Sequence, residues 1–401
     1  MKNENSICVI GLGYIGLPTS VILAECGYKV CGVDTSTKVL DSLRNGRTHI
    51  AETNLNEALN SQAVQENFRV SDTPSFSDVF IIAVPTPFNE NHEPNIEFIM
   101  EAVESIVPYL RPGNMIILES TSPVGTTEKI NNYLKEMGVD ISELYIAHCP
   151  ERVLPGKIMK ELLINDRIIG GQTKKAGEKV AEFYREFIGG SVHITDARTA
   201  ELCKLVENSY RDVNIAFANE LSMISDTLGI DVWELIDLAN CHPRVNILRP
   251  GAGVGGHCIA VDPWFIVYSD AENSKLIRRA REVNICKTDW VFENILSAYE
   301  NLKTNLGREP ILACFGLAFK PDVDDLRESP ALQIFHKLLS RGINPLAVEP
   351  NLYQHDSIHL TDVDEASKEA DLIAILVPHN QFSQLRTSAE VLYYCGKGTT
   401  Q

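Results

Sequence analysis

A chain of 401 residues exceeds one ordinary hydrophobic core and points to two or three domains. Its 44% hydrophobic and 22% charged residues are normal for a globular protein. The net charge of −18 argues against a nucleic-acid partner, and an anionic ligand would need Arg and Lys gathered locally. No apolar run is long enough to span a bilayer, and no cleavable leader pattern precedes the first strand, so a membrane is not an expected partner. Ten cysteines without disulfide-like spacing fit a reducing cytoplasm.

Ser6 to Ile10 reads as a buried strand, and Gly11-Leu-Gly-Tyr-Ile-Gly16 follows at once. A helical pattern then runs to Ala24, and a second strand from Tyr28 to Val33 ends in Asp34. Gly-x-Gly-x-x-Gly between strand and helix, with an acid about 20 positions on, is the context of a dinucleotide-binding turn. Gly11 would make the turn, Gly13 would admit the pyrophosphate and Gly16 would let helix and strand close up. Asp34 would bind a ribose 2′-hydroxyl and repel a 2′-phosphate, favouring NAD over NADP. A glycine-rich turn without a ligand is the plainer alternative.

The alternation continues with strands at Asp78 to Val84 and Met115 to Glu119, and a helical stretch from Asn95 to Leu110. Thr86, Thr121 and Thr127 fall at or just past strand ends, where hydroxyls would meet a cofactor or cap the next helix. A short strand from Leu144 to Ala147 precedes Glu151 and Arg152, and a last one spans Ser191 to Ile194.

Thr199 to Leu228 has helical spacing and no proline or glycine. Glu201, Lys204, Asn208 and Arg211 lie along one face of it, either a solvated stripe or a functional one. A second helical run extends from Lys275 to about Leu302, and the two suggest a spine that buries a subunit interface. Between them, four glycines crowd into Gly251 to Gly256 and lead to Cys258, with Asp262 four residues on. Such a loop suggests backbone wrapped closely around a small molecule that meets the thiol. A buried structural thiol is the plainer reading; Cys241-His242 and His257-Cys258 lack the usual zinc spacing.

The last stretch repeats the first. Strands are expected at Pro310 to Phe319, Asn344 to Val348 and Ala370 to His379, with a helix from Ser329 to Arg341. Gly316 stands alone where the first turn has three glycines, which suits a nucleotide-sized site. The fold class is α/β: two Rossmann-like doubly wound parallel-sheet domains joined by a central helical dimerisation region. The boundaries expected are 1–196, 197–303 and 304–401.

Taken together, Gly11 to Gly16, Lys204, Asn208, Gly255-Gly-His-Cys258 and Phe319-Lys320 resemble the nucleotide-sugar 6-dehydrogenases over nearly the whole chain. Glu119 to Gly125, Cys149 to Gly156, Asn165 to Gly171, His242 to Leu248, Gly253 to Trp264 and Cys314 to Pro321 carry a narrower match. It is to the branch acting on UDP-N-acetyl-D-mannosamine. UDP-glucose dehydrogenases usually have an aromatic where Arg152 follows Glu151. The chain end, Tyr394-Cys-Gly-Lys-Gly398, departs from the family pattern.

The resemblance implies that Tyr14, Ile15, Asp34, Thr86, Thr127 and Arg327 contact NAD. It implies that Arg152, Val153, Lys204, Asn208, Arg211, His242, Arg244, Gly255, Phe319 and Lys320 contact a UDP-sugar. The arginine at position 244 would reach the other subunit's substrate in a homodimer. Conversion of a primary alcohol to a carboxylate needs two NAD in sequence. Lys204 and Asn208 would stabilise the alkoxide, and Cys258 would capture the aldehyde as a thiohemiacetal that is oxidised to a thioester. Glu151 or Asp262 would activate the hydrolytic water, with Thr121 completing the catalytic set. UDP-N-acetylglucosamine, UDP-glucose, or a non-catalytic nucleotide-sugar-binding role stay open at this point.

Overall fold

The computed structural model describes residues 5–50, 52–89, 92–154 and 156–396. Met1 to Glu4 at the start, Pro155 within the Cys149 to Gly156 match, and Lys397 and Gly398 at the end lie outside them. The chain divides into two compact units, Met1–Val206 with Trp264–Ser269, and Glu207–Pro263 with Asp270–Gln401.

The first unit is built on β1 (Ser6–Ile10), β2 (Lys29–Val33), β3 (Phe68–Ser71), β4 (Val79–Ile82), β5 (Met115–Leu118), β6 (Tyr145–His148), β7 (Arg167–Gly171) and β8 (Val192–Asp196). Their order is β3-β2-β1-β4-β5-β6-β7-β8. Strands β1 to β6 are mutually parallel, and all but the edge strand β3 are largely buried on both faces. Ile7 and Val9 enter one apolar layer, while Cys8 and Ile10 enter the other. Two-sided burial is why these strands read as continuous apolar runs in the sequence.

One detail departs from the all-parallel expectation. β7 runs antiparallel to β6 through Ala147↔Gly171 and His148↔Gly170, and β8 follows β7 in parallel. The segment between β6 and β7 holds the short helix Ile158–Ile164 and does not cross the sheet. It is pinned instead to Glu52, whose carboxylate accepts the Gly156 and Ile158 N–H groups at 2.7 and 2.8 Å. β7 therefore enters from the end of the sheet where β6 leaves. β3 and the helices Thr37–Arg44, Leu55–Leu59 and Gln62–Asn67 are additions that the sequence pattern did not reveal.

The second unit carries a parallel sheet of β9 (Leu312–Phe315), β10 (Leu346–Val348), β11 (Leu372–Ile375) and β12 (Glu390–Tyr393), in the order β10-β9-β11-β12. β12 is formed despite the unusual chain end, pairing with β11 over four residues. The glycine turn of the first unit is repeated in its backbone. Gly11 (φ +90°) donates to Val33 O at 2.8 Å, and Gly316 (φ +85°) donates to Val348 O at 2.8 Å. An acid closes each second strand: Leu12 N–H donates to Asp34, and Leu317 and Ala318 N–H donate to Glu349. The two acids differ in surroundings. Glu349 is buried and bonded to buried His379 at 2.9 Å, whereas Asp34 is only half-buried. Burial alone would raise the Glu349 carboxyl, but His379 and the two N–H donors hold it below the usual range.

Two helices of 32 residues, Ala197–Leu228 and Lys275–Leu306, form the middle of the chain. Within the second unit they are joined by a dry polar seam. Arg281 pairs with Asp212 at 2.6 Å, Asn284 donates to the same carboxylate at 2.8 Å, and Asn219 donates to Asn284 at 2.9 Å. Lys287 donates to Ser222 at 2.8 Å nearby. Leu202, Val206, Tyr210, Phe217, Ile224 and Leu228 form a stripe on the first helix that is exposed in this chain. No helix among the described residues is long and apolar enough to cross a membrane.

Candidate active site

The first unit presents a turn shaped for a pyrophosphate. A Cβ on Gly11 would lie 2.6 Å from Ala83 O, and one on Gly16 would lie 1.8 Å from Gly11 O. Those two glycines are required by the protein's own packing. A Cβ on Gly13 would meet nothing within 4 Å, so the protein's own packing does not require that glycine. Asp34 is aimed by the N–H groups of Leu12 at 3.0 Å and Ser36 at 2.9 Å. Thr86 Oγ1 is a buried oxygen without a hydrogen-bond partner among the described residues, a group a ligand would satisfy. Tyr14, Ile15 and Thr121 are half-buried beside these strand ends.

Thr127, expected at the cofactor, stands in the first turn of helix Thr126–Glu136. It is fully buried, and both its N–H and its hydroxyl donate to Glu201 at 2.7 Å, while Gly125 N–H donates there at 2.6 Å. The Glu201 carboxylate thus stands at the N-terminus of helix Thr126–Glu136, satisfying donors that the helix itself leaves open. Burial raises the Glu201 carboxyl even though these donors pull it down.

Helix Ala197–Leu228 also carries Lys204, whose Nζ donates to Glu151 Oε1 at 2.8 Å. Both side chains are buried, at 8% and 11% exposure, so the stripe is dry at Lys204, whereas Arg211 at its far end is exposed. Glu151 follows β6 directly, and its other oxygen accepts Val153 N–H at 3.0 Å. Arg152 donates to Asp166 O at 3.2 Å. A buried set that the sequence pattern did not single out surrounds the end of β5. Glu119 accepts from Tyr184 at 2.7 Å and from Thr19 at 3.4 Å. The Arg167 guanidinium lies over the Tyr184 ring. Burial raises the Glu119 carboxyl against the opposing charge of Arg167. An acid terminating an apolar strand was the available signal. His148 is held neutral, pushed down to about 3 by burial, with the Lys204 charge adding to the effect.

In the second unit, Asn208 Nδ2 donates to Asp262 Oδ2 at 2.6 Å, one helical turn along from Lys204. Asp262 is buried and opens helix Asp262–Ser269. Its N–H and that of Val261 donate to the Cys258 carbonyl at 2.8 and 3.0 Å, so the thiol sits on the turn entering that helix. Two of the loop glycines ahead of it are packed closely against another segment of the chain. A Cβ on Gly255 would lie 2.3 Å from Glu328 O, and one on Gly256 (φ +82°) would lie 2.8 Å from the Phe319 ring. The Phe319 to Pro330 segment of the protein itself occupies the room these glycines make.

That contact gathers charge near the thiol. Lys320 is depressed, chiefly by burial and also by the Arg211 charge, with Asp325 and Cys258 acting in the opposite direction. Arg327, expected at the cofactor, is bonded through Nε and Nη2 to Asp325, at 2.6 Å for the shorter contact to Oδ2. His242 and Arg244 are exposed on the stretch before the loop. No group of three or more metal-ligating side chains is placed to hold an ion among the described residues.

Equipment of this kind belongs to dinucleotide-dependent oxidoreductases. Residues 5–188 match the NAD binding domain of the UDP-glucose/GDP-mannose dehydrogenase family, 198–285 its central domain and 313–395 its UDP binding domain. The chain is 50% identical to a UDP-N-acetyl-D-mannosamine dehydrogenase of Campylobacter jejuni, covering 98% of this chain and 100% of that protein. It is 47% identical to an NDP-N-acetyl-D-galactosaminuronic acid dehydrogenase of Ralstonia nicotianae, covering 95% and 92%. The solved UDP-N-acetyl-mannosamine dehydrogenase of S. aureus superposes with a TM-score of 0.87 at 42% identity, covering 97% and 98%. The chain belongs to the UDP-glucose/GDP-mannose dehydrogenase family, and as an enzyme of that family it uses NAD.

Proposed function

We propose that this enzyme oxidises the C6 alcohol of UDP-N-acetyl-D-mannosamine to the carboxylate, consuming two NAD per sugar. The near-full-length similarity to the Campylobacter jejuni enzyme carries this reading. When bound, NAD supplies the two-electron acceptor in each oxidation. The turn from Gly11 to Gly16 would hold its pyrophosphate, Asp34 its ribose, and Tyr14, Ile15 and Thr86 its flanks. Arg327, bonded here to Asp325, is a further candidate for contact with it.

In the first oxidation Lys204 and Asn208 stabilise the developing alkoxide, the lysine already held by Glu151 and the amide by Asp262. Cys258 then adds to the aldehyde carbon, forming a thiohemiacetal that is oxidised to a thioester. Lys320 and Arg211 favour the attacking thiolate by their charge. Water activated by Glu151 or Asp262 releases the acid, and Thr121 completes the set. Arg152, Val153, Gly255, Phe319 and Lys320, with Arg211, His242 and Arg244, recognise the UDP-sugar. These cations answer locally the overall charge of −18.

The apolar stripe on helix Ala197–Leu228 supports a homodimer, with exposed Arg244 available to a second copy. A three-part division at about residues 196 and 303 and a cytoplasmic setting complete the proposal. The similarity to the Ralstonia protein favours a second reading, with an N-acetylgalactosamine nucleotide as substrate. Purified protein offered UDP-N-acetyl-D-mannosamine, UDP-N-acetylgalactosamine, UDP-N-acetylglucosamine and UDP-glucose with NAD separates these. The first should give the highest kcat/KM and two NADH per sugar; preference for the second substrate transfers the assignment.

A further inference from the structure

Beneath the cofactor turn, Cys8 on β1 stands directly opposite Cys31 on β2 in parallel register. Both side chains enter the same apolar layer, and no step above uses them. Neighbouring strands lie about 4.8 Å apart, within the Cα separation a disulfide accepts. Cys31 also lines a cavity of about 290 Å³ together with Lys29, Arg69 and Ser75. Arg69 donates to Ser75 Oγ at 2.7 Å, and Ser75 in turn hydrogen-bonds Cys31. The bond from Cys8 pulls the Cys31 thiol down; burial opposes it, while Ser75 and Arg69 assist. The same bond, with burial, pushes Cys8 up. Cys31 is thus a cavity-lining residue, and Cys8, which does not line the cavity, is paired with it across the sheet. Buried Cys314 has no comparable neighbours and is pushed up to about 12 by burial alone.

We propose that Cys31 and Cys8 form a peroxide-responsive dithiol whose oxidation weakens NAD binding. The inference rests on the assignment of Gly11 to Gly16 and Asp34 to the cofactor. Cys31 thiolate attacks one peroxide oxygen; the O–O bond breaks, the sulfur becomes a sulfenic acid and hydroxide leaves. The Cys8 sulfur then attacks Cys31; the S–O bond breaks and water departs with the Cys8 proton, leaving a disulfide. Cys8 lies three residues before Gly11 and Cys31 three before Asp34. A bond of about 2.05 Å between the sulfurs draws the strands together just below the Gly11–Val33 and Leu12–Asp34 hydrogen bonds.

The test uses the full chain carrying Cys258→Ser, so that oxidation of that thiol cannot confuse the result. NADH affinity is first measured on the reduced protein; failure to bind there sinks the cofactor assignment, not the dithiol. Hydrogen peroxide should then give a loss of two hydrogens by intact mass, a Cys8–Cys31 cross-linked peptide, and NADH binding weakened roughly tenfold, all reversed by dithiothreitol. Adding Cys8→Ala should abolish the cross-link and keep the affinity. In the otherwise unaltered chain, Cys31 should alkylate at least roughly tenfold faster than Cys314. Equal alkylation rates, oxidation of Cys31 without the cross-link, or a cross-link that leaves NADH affinity unchanged would each overturn the proposal.

Discussion

Lys204 Nζ and Glu151 Oε1 meet at 2.8 Å across 53 residues of sequence, with both side chains buried. The pair binds the helix Ala197–Leu228 to the loop that follows β6, and it leaves neither charge alone in a dry setting. Glu151→Gln keeps an acceptor for the lysine and removes the base. Thioester hydrolysis should slow by roughly 10²–10⁴-fold, so that a covalent sugar adduct accumulates on Cys258 and is seen by intact mass spectrometry. A fast-turning variant without the adduct would assign water activation to Asp262.

Cys258→Ser should stop after the first oxidation. The expected stoichiometry is one NADH per sugar or fewer, with an aldehyde that a hydrazine reagent traps. Two NADH per sugar at the unmutated rate would take the thiol out of the chemistry.

Asp34→Ala removes a carboxylate held in place by the Leu12 and Ser36 N–H groups. A lost charged hydrogen bond of about 1.5–3 kcal/mol should weaken NAD roughly 10- to 100-fold. NADP should be affected less, and the ratio of kcat/KM for the two cofactors reads this directly. An unchanged ratio would place the ribose elsewhere.

Phe217 and Tyr210 are 55% and 69% exposed in the middle of the apolar stripe. A charge placed there meets water in a monomer but a desolvated face in a dimer. Phe217→Glu should halve the mass measured by sedimentation equilibrium, leaving far-ultraviolet circular dichroism intact. A dimer undisturbed by this change would place the interface on another surface.

Lys287 is 2% exposed, bonded to Ser222 and held over the Trp290 ring, and burial pulls it down to about 7. Unfolded lysine binds its proton below about 10.4. Between the two values the unfolded chain carries the extra proton, so this group's contribution to stability rises as pH goes from 7 towards 10 and is smallest at 7 and below. Lys287→Met should raise stability at pH 7 by roughly 1–3 kcal/mol and flatten the slope between pH 7 and 9 in denaturant titrations. An unchanged slope would mean that the ammonium stays charged in the fold.

The dinucleotide turn was readable because its causes are local. Gly11 needs a positive φ, Gly16 lets a helix start against a strand, and β1 is buried on both faces, so residues 6 to 34 announce themselves in order. The long helices were readable for the same reason, through spacing and the lack of breakers. Short amphipathic pieces such as Gln62–Asn67 and the weakly apolar β3 carry too little pattern to stand out. Chemistry-bearing residue types in Lys204, Asn208 and Cys258 could be named, whereas their partners could not.

Local sterics and hydrophobic periodicity therefore determined the strand–turn–helix units and the two sheets, while the candidate thiol was singled out by the family resemblance. Tertiary structure alone decided which side of helix Ala197–Leu228 is dry, that Glu201 is spent on a helix terminus, and that Gly255 and Gly256 make room for Phe319 to Pro330. It also reversed β7. Each of these depends on which distant segment arrives to desolvate a group or fill a space, and sequence spacing holds no record of that meeting until the chain has folded.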